Sequence, residues 1–287
     1  MIRLEAASPL FPELLRDIPG PPDLLYVRGT LPSRAASVAV VGSRKPTPYG
    51  RRMARLLASG LARAGVAVVS GLARGIDTEA HRAALGAGGV TWAVLGSGLD
   101  NVYPPENKAL ADEIAAGGGA LVSEFRPDGP PLAANFPRRN RIIAGLSAAV
   151  VVVEGDLRSG ALITARLAAE AGREVFAVPG PADSALSLGP NELLRNGAAM
   201  ARSVEDILEG LPALPGPRPP EGIPEGSAPR VSTDEGTILE LLGGHTMDFD
   251  ELIESTGWEL PRLVRALSGL EGTGLLTALP GQNYART

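Results

Sequence analysis

The chain has no cysteine in 287 residues. That excludes disulfides, thiolate metal sites and a cysteine nucleophile together. Histidine occurs only at His81 and His245, so imidazole chemistry has few places to reside. No apolar run approaches the roughly 18 residues that a membrane span needs. Met1 to Pro12 lacks a basic stretch followed by an apolar core, so no secretory signal is expected. The expectation is a soluble, cytoplasmic protein without a membrane partner. Lysine is scarce as well, at 2 residues against 25 arginines, a bias that a GC-rich genome explains more simply than selection for phosphate-binding forks.

What is present suffices for a large core. Hydrophobic residues make up 44% of the chain and mean hydropathy is +0.09. The length fits one large domain, or a large one with a small one. Net charge is −5 but unevenly spread. Residues 36–211 hold 18 basic and 17 acidic residues, whereas 231–287 hold three and nine. A balanced middle can still carry local basic clusters, and Arg138, Arg139 and Arg141 form one.

The organising stretch is Ser37 to Ile76. Two almost wholly apolar runs, Ser37–Val41 and Val66–Ser70, flank a segment with Met53, Leu56, Leu57, Leu61 and Ala64 at helical spacing. Continuous apolar strands imply burial on both faces, as in a parallel sheet covered by helices. This is a βαβ unit whose strands end in glycine-containing turns, at the edge where ligands bind in doubly wound folds. Gly42, Ser43, Arg44, Gly71, Arg74 and Gly75 are displayed there.

Taken in order, 1–35 reads as a lead-in packed on the core, with a short helix and a strand. Strands are expected near 37–41, 66–70, 91–95, 119–124, 148–153 and 174–178. Helices are expected over 50–64, 77–86, 106–116, 138–145, 159–171 and 203–210. The alternation predicts a mostly parallel α/β sheet over 36–211, with all strand-end turns on one edge. Residues 212–230 contain seven prolines and three glycines, the composition of a semi-stiff linker. Residues 231–287 then read as helices at 234–242, 248–255 and 260–271 and two short strands about Pro280-Gly281, a winged-helix plan.

Gly42 to Gly50 lacks the Gly-Lys-Ser/Thr of an ATPase loop. Gly96-Ser97-Gly98 half-matches a dinucleotide fingerprint, with Asn101 where a third glycine belongs. Ser43 has no neighbouring histidine. His81 reads as a core residue and Asp77 as the cap of the helix after Gly75. Glu124, Glu154 and Asp156, at strand ends, read as polar lining of a cleft. Asn135-Phe136-Pro137-Arg138-Arg139-Asn140-Arg141-Ile142 has two readings. It is a helix start with solvated arginines and a stapled phenylalanine, or a single-strand site where arginines meet phosphates and an aromatic stacks on a base. The residues alone support both. Ser159-Gly160-Ala161 opens another helix, as a cap, as an anion-binding N-terminus, or as both.

With these motifs placed, the chain resembles the DNA-processing protein A (DprA, or Smf) family over nearly its whole length. The resemblance rests on Gly42-Ser43-Arg44, Ser70 to Asp77, Tyr103-Pro104-Pro105-Glu106-Asn107, Asn135 to Ile142, Ser159 to Arg166, Val175 to Gly180 and Gly189-Pro190-Asn191. It implies an extended Rossmann-like domain that binds single-stranded DNA without catalysis, cofactor or metal. It also implies that the protein protects incoming DNA in natural transformation and helps load the recombinase RecA. The matching positions make Gly42, Ser43, Arg44, Gly71, Phe136, Arg138, Arg139, Asn140 and Arg141 the expected nucleic-acid-binding residues. A homodimer through the Rossmann domain is implied too, near 186–210 with Leu193, Leu194 and Met200.

Two departures follow. Many members carry a helical domain before the core, which 1–35 is too short to hold. The winged-helix segment has a net charge of −6 and offers only Arg262 and Arg265 on its third helix, so it is expected to add little DNA affinity. The competing enzyme reading is a nucleoside-monophosphate phosphoribohydrolase, but that family's Pro-Gly-Gly-x-Gly-Thr phosphate motif is missing. A transcription regulator, suggested by the winged helix alone, is disfavoured by the acidic tail.

Overall fold

The computed structural model describes residues 1–211, 233–242, 247–259, 276–279 and 283–286, together with 262, 263, 265–267 and 270. The chain divides into two compact units, Met1–Pro219 and Pro220–Thr287.

The first unit runs β1 (Ile2–Glu5), α1 (Glu13–Arg16), β2 (Leu24–Gly29), β3 (Ser37–Val41), α2 (Pro48–Arg63), β4 (Ala67–Ser70), α3 (Ile76–Gly86) and β5 (Thr91–Val94). It continues with α4 (Lys108–Ala116), β6 (Ala120–Ser123), α5 (Asn135–Gly145), β7 (Ala149–Val152), α6 (Gly160–Glu170), β8 (Glu174–Ala177), α7 (Leu188–Arg195), β9 (Ala199–Met200) and α8 (Val204–Gly210). The strands form one sheet in the order β1-β2-β6-β5-β4-β3-β7-β8-β9. From β6 to β9 every pairing is parallel.

The reason for the apolar runs is visible in β3, where side chains alternate between two cores. Val38 and Val40 face the cluster under α2, α3 and α8, while Ala39 and Val41 face the one under α5 and α6. Val150 and Val152 of β7 join the second cluster and Ala149 and Val151 the first. A strand buried on both faces admits a polar residue only where it finds a partner, as Ser37 does by donating its hydroxyl to Leu146 O at 2.6 Å. Each valine taken fully from water contributes about 1.5–3 kcal/mol.

Residues 1–35 do more than pack on the core. β2 pairs antiparallel with β6, and β1 with β2, so the lead-in supplies two strands of the sheet. Phe11 and Leu15, both fully buried, anchor it. It lies so close to α5 that a Cβ on Gly145 would stand 2.6 Å from Leu15 Cδ1.

The second unit contains α9 (Thr233–Leu242), β10 (Met247–Asp248), α10 (Phe249–Thr256), helical residues at 262, 263, 265–267 and 270, β11 (Leu276–Leu279) and β12 (Asn283–Arg286). The strands form an antiparallel sheet in the order β10-β12-β11 over a core that includes Ile238, Leu252, Leu263 and Leu270. Asp248 and Glu251 make a reciprocal capping box at the start of α10. The proline-rich segment 212–230 lies outside the described residues.

Candidate nucleic-acid interface

The strand order reverses between β3 and β7. In open α/β sheets that switch point opens a crevice at the carboxyl ends of the strands. Here it is a cleft of about 870 Å³, walled by the turn after β3, the start of α5, and the segment from the end of β7 into α6.

The turn after β3 carries Gly42, Ser43, Arg44 and Lys45, all on the cleft wall. Its course is fixed from the neighbouring turn. Ile76 N–H donates to Ser43 O at 3.1 Å, and Gly75 has φ +79°. A Cβ at Gly75 would run into Ser43 O, so only glycine serves there. Ser43 Oγ accepts from Lys45 N–H at 3.1 Å. Arg44 and Lys45 are exposed, and no carboxylate pairs with either among the described ion pairs. Arg44 extends its guanidinium over Phe136, 5.7 Å from the ring centroid, and Tyr103 tilts against the same ring at 5.7 Å.

Helix α5 splits the arginine trio. Phe136, Arg139, Asn140 and Ile143 share the face that lines the cleft. Arg138 and Arg141, three apart, share another, where both donate to Glu124. Arg141 and Arg138, expected at the nucleic-acid site, therefore stand outside the cleft wall, because the nearly buried Glu124 carboxylate draws them away. The helical period separates positions 138 and 141 from 136, 139, 140 and 143, so this division was available from spacing.

Arg139 is on the wall but is not a free cation. It is 4% exposed and donates to Gly71 O at 2.6 Å, to Val94 O, and to Asn140 Oδ1 at 3.2 Å. Burial pulls its pKa down to about 10, against the favourable charge of Asp77. Gly71 is buried beneath this guanidinium, and a Cβ there would stand 2.6 Å from its nitrogens. Gly71 thus seats Arg139 and is not part of the wall. Asn140 spans to Gly160 O at 3.2 Å, tying α5 to the start of α6.

Asp77 does not cap α3. Its carboxylate instead accepts from Gly71 N–H at 3.1 Å and Ala73 N–H at 3.3 Å, because Gly75 occupies the cap position and the turn folds back over the second residue of the helix. Burial raises its pKa above the usual carboxylate range, while Arg139 opposes that rise. Glu154 and Glu124 do not line the cleft either. Glu154 is 2% exposed and accepts from Thr47 N–H at 2.9 Å and from the Thr47 hydroxyl, holding the start of α2. Asp156 does lie on the wall.

Ser159 caps α6 by accepting from Ala161 N–H at 3.2 Å, and it also lies on the cleft wall. The capping reading holds, and the start of α6 opens on the cleft. The positive end of α6 points an anion-favouring field into the cleft beside Arg44 and Lys45. Lys45 and Tyr103 are wall residues that the sequence reading does not single out as site residues. Lys45 directly follows Arg44 in sequence, which is the available signal.

The half-matched fingerprint at Gly96-Ser97-Gly98 is filled by protein. Gly98 N–H donates to Gly129 O at 2.9 Å, and a Cβ on Gly98 would collide with Arg126 O and Pro127 O. No room for a pyrophosphate is left there. His81 is fully buried and shares a 2.7 Å hydrogen bond with Thr91 Oγ1, as expected of a core residue. Among the described residues, no group of three or more His, Cys, Asp or Glu side chains is placed to hold a metal ion. Nor is any helix among them long and apolar enough to cross a membrane.

Comparison with known proteins decides the family. The family model of DNA recombination-mediator protein A matches residues 3–212, and that of the DprA winged helix domain matches 222–282. The chain belongs to the DprA family. Protein Smf of Escherichia coli (strain K12) is 44% identical over 288 residues, covering 99% of this chain and 76% of that protein. The X-ray structure of DprA from Streptococcus pneumoniae superposes with a TM-score of 0.69 at 41% identity, covering 74% of each chain. DprA from Helicobacter pylori, whose structure is described as showing a single-stranded DNA binding mode, gives a TM-score of 0.65 at 32% identity. The match covers 72% of this chain and 94% of that one. The Rossmann-like sheet and the winged-helix unit are thus those of DprA proteins, which are recombination mediators in DNA processing.

Proposed function

We propose that this chain binds single-stranded DNA in the cleft at the β3/β7 switch point, without a chemical step, and hands it to a recombinase. The carrying observation is the pair of exposed cations, Arg44 and Lys45, beside a half-buried aromatic, Phe136, at the mouth of a positive helix end. Cations meet phosphates and an aromatic face stacks any base, so such a site grips a strand without reading its sequence. The single-stranded DNA binding mode described for the Helicobacter pylori protein supports the same ligand. Gly42, Ser43, Arg44, Phe136 and Asn140 contact the strand in this reading, while Gly71 and Arg139 shape the wall.

The cleft is a binding site rather than a catalytic one. Ser43 Oγ is engaged by Lys45 N–H, and His81 is sealed in the core away from the wall. Residues 36–211 are assigned the DNA-binding role, 1–35 the completion of the sheet, 212–230 a linker, and 231–287 the winged helix. The recombination-mediator description of the family supports loading of RecA and protection of incoming DNA in natural transformation, a cytoplasmic task. A homodimer would form at the β9 edge of the sheet, where Leu188 and Met200 are 42% and 47% exposed. An unpaired edge strand with exposed apolar side chains invites such pairing.

Fluorescence anisotropy with a labelled single strand and its duplex tests the cleft. Arg44→Ala should weaken single-strand binding by on the order of tenfold or more, and duplex should bind poorly throughout. Equal affinity for duplex, or an Arg44→Ala variant as tight as wild type, would overturn the assignment.

A further inference from the structure

Outside the cleft, a basic feature among the described residues lies on the outer face of α2 and α3. Arg52, Arg55, Leu56, Ser59 and Arg63 recur at helical spacing along one side of α2, and Arg82 of α3 faces them across an open groove of about 750 Å³. Five guanidiniums, counting Arg51, meet one carboxylate on this face. That carboxylate, Glu79, is largely buried beneath Arg51 and Arg55 and bonds both, at 3.1 and 2.7 Å. Arg52, Arg63 and Arg82 are exposed with no carboxylate partner among the described ion pairs. The face thus has an excess of four positive charges on a chain whose net charge is −5.

The α2 dipole favours Arg63, in the last turn, but does not account for the arginines of the first half. Arg51 and Arg52 lie near the positive end of the α2 dipole, where cations are unfavourable, and the first turn holds no acidic residue. An exposed Leu56, at 49%, sits among the arginines. A second copy of the same face is a poor occupant, because a two-fold contact would set arginine against arginine. Continuity favours nucleic acid. Lys45 is on the cleft wall, and α2 begins at Pro48, so the arginines carry the cationic surface onward from the cleft. The cleft itself holds only a few nucleotides, and a longer strand must leave it across some surface.

We infer that the α2–α3 face is a second segment of the single-strand site, where phosphates of DNA leaving the cleft meet Arg52, Arg55 and Arg82 and the strand's apolar faces lie over Leu56. This rests on the cleft reading above, and extends it from a pocket to a track.

The test uses the full chain and labelled oligothymidylates of about 6 and about 25 nucleotides, titrated at several salt concentrations. Arg52→Ser/Arg82→Ser removes two surface charges that have no carboxylate partner among the described ion pairs, Arg52 lying over the Tyr49 ring at 5.4 Å. It should bind the short oligomer as wild type does and lose on the order of tenfold on the long one. Its salt dependence should be shallower by about 1.4 in log–log slope, about 0.7 for each phosphate no longer neutralised. An unchanged long-oligomer affinity would overturn the track, and so would an equal loss on both lengths. An equal loss in Arg3→Ser/Arg34→Ser, which removes the same charge elsewhere, would also overturn it. If Arg44→Ala weakens both lengths and the double variant neither, the cleft stands and the track falls. If the double variant weakens the long oligomer and Arg44→Ala changes nothing, the face binds DNA without the cleft, and the track as an extension of the cleft falls with it. Loss of polyglutamate binding in the double variant, with DNA binding intact, would reassign the face to an acidic protein partner and overturn the track.

Discussion

At the scale of single residues, burial decides which ionisable groups are available to a ligand. Arg139 and Arg44 are both cationic and both on the cleft wall, yet they do different work. Arg139 is spent on the carbonyls of Gly71 and Val94, joining the ends of β4 and β5 to α5. Arg44 has an aromatic face beneath it and water around it. His81 shows the same principle in the core. Thr91 Oγ1 donates to Val68 O, so it must accept from Nδ1–H of a neutral imidazole, leaving His81 Nε2 unpartnered. Burial lowers the His81 pKa to about 3, with Arg139 adding to the effect. The folded state therefore refuses a proton that the unfolded chain takes up below about 6.5. Stability is fully retained above that pH and falls as pH drops from about 6.5 toward 3, by up to about 1.4 kcal/mol per pH unit. Urea unfolding between pH 7 and pH 4.5 should show a slope smaller by close to one proton in His81→Gln. Parallel pH profiles for the two proteins would contradict this.

At the scale of elements, the parallel strands could be read from sequence because two-sided burial leaves a continuous apolar record. β3 spans Ser37–Val41 as expected, and the other core strands and helices lie within three residues of their expected bounds. What escaped lacks that record. β1 buries only Leu4, β9 has two exposed residues, and α7 carries Gly189 and Pro190 in its first turn, a pattern that reads as loop. The cleft was legible as a set of strand-end turns. The partners of its arginines were not, because Glu124 precedes Arg138 and Arg141 by 14 and 17 residues and no local spacing links them. α5 presents Phe136 and Arg139 to the cleft and Arg138 and Arg141 to Glu124, so the two faces separate by mutation. Arg141→Ala leaves a Glu124 side chain that is only 4% exposed short of a charged donor, and should cost roughly 1.5–3 kcal/mol in urea unfolding. Arg138 is 62% exposed, and its loss should cost less than about 1 kcal/mol. Neither substitution should lower single-strand affinity as Arg44→Ala does. A binding loss in Arg138→Ala matching that of Arg44→Ala would place the strand on the other face of the helix.

At the scale of the whole molecule, charge is divided between the two units. The first carries the cleft and the basic α2–α3 face, while 231–287 holds nine acidic residues against three basic ones. Within the second unit, Arg262 is occupied internally. It bonds Asp234 through two nitrogens, at 2.6 and 2.9 Å, and its guanidinium lies 4.4 Å from the Trp258 ring centroid. A winged helix that grips duplex DNA presents the cations of its third helix to phosphates. Here one of the two arginines of that segment is already committed to a carboxylate and a ring. Non-specific affinity scales with the number of phosphates neutralised, so a net charge of −6 cannot supply much of it. The first unit has its own buried clusters on both faces of its sheet. Deleting 231–287 should therefore leave a folded protein whose single-strand affinity stays within about tenfold of the full chain, with an equal or steeper salt dependence as acidic repulsion is removed. Anisotropy titrations of the two proteins side by side decide the matter. A loss beyond tenfold would make the acidic unit a partner in DNA binding and would require a cationic surface that its composition does not provide.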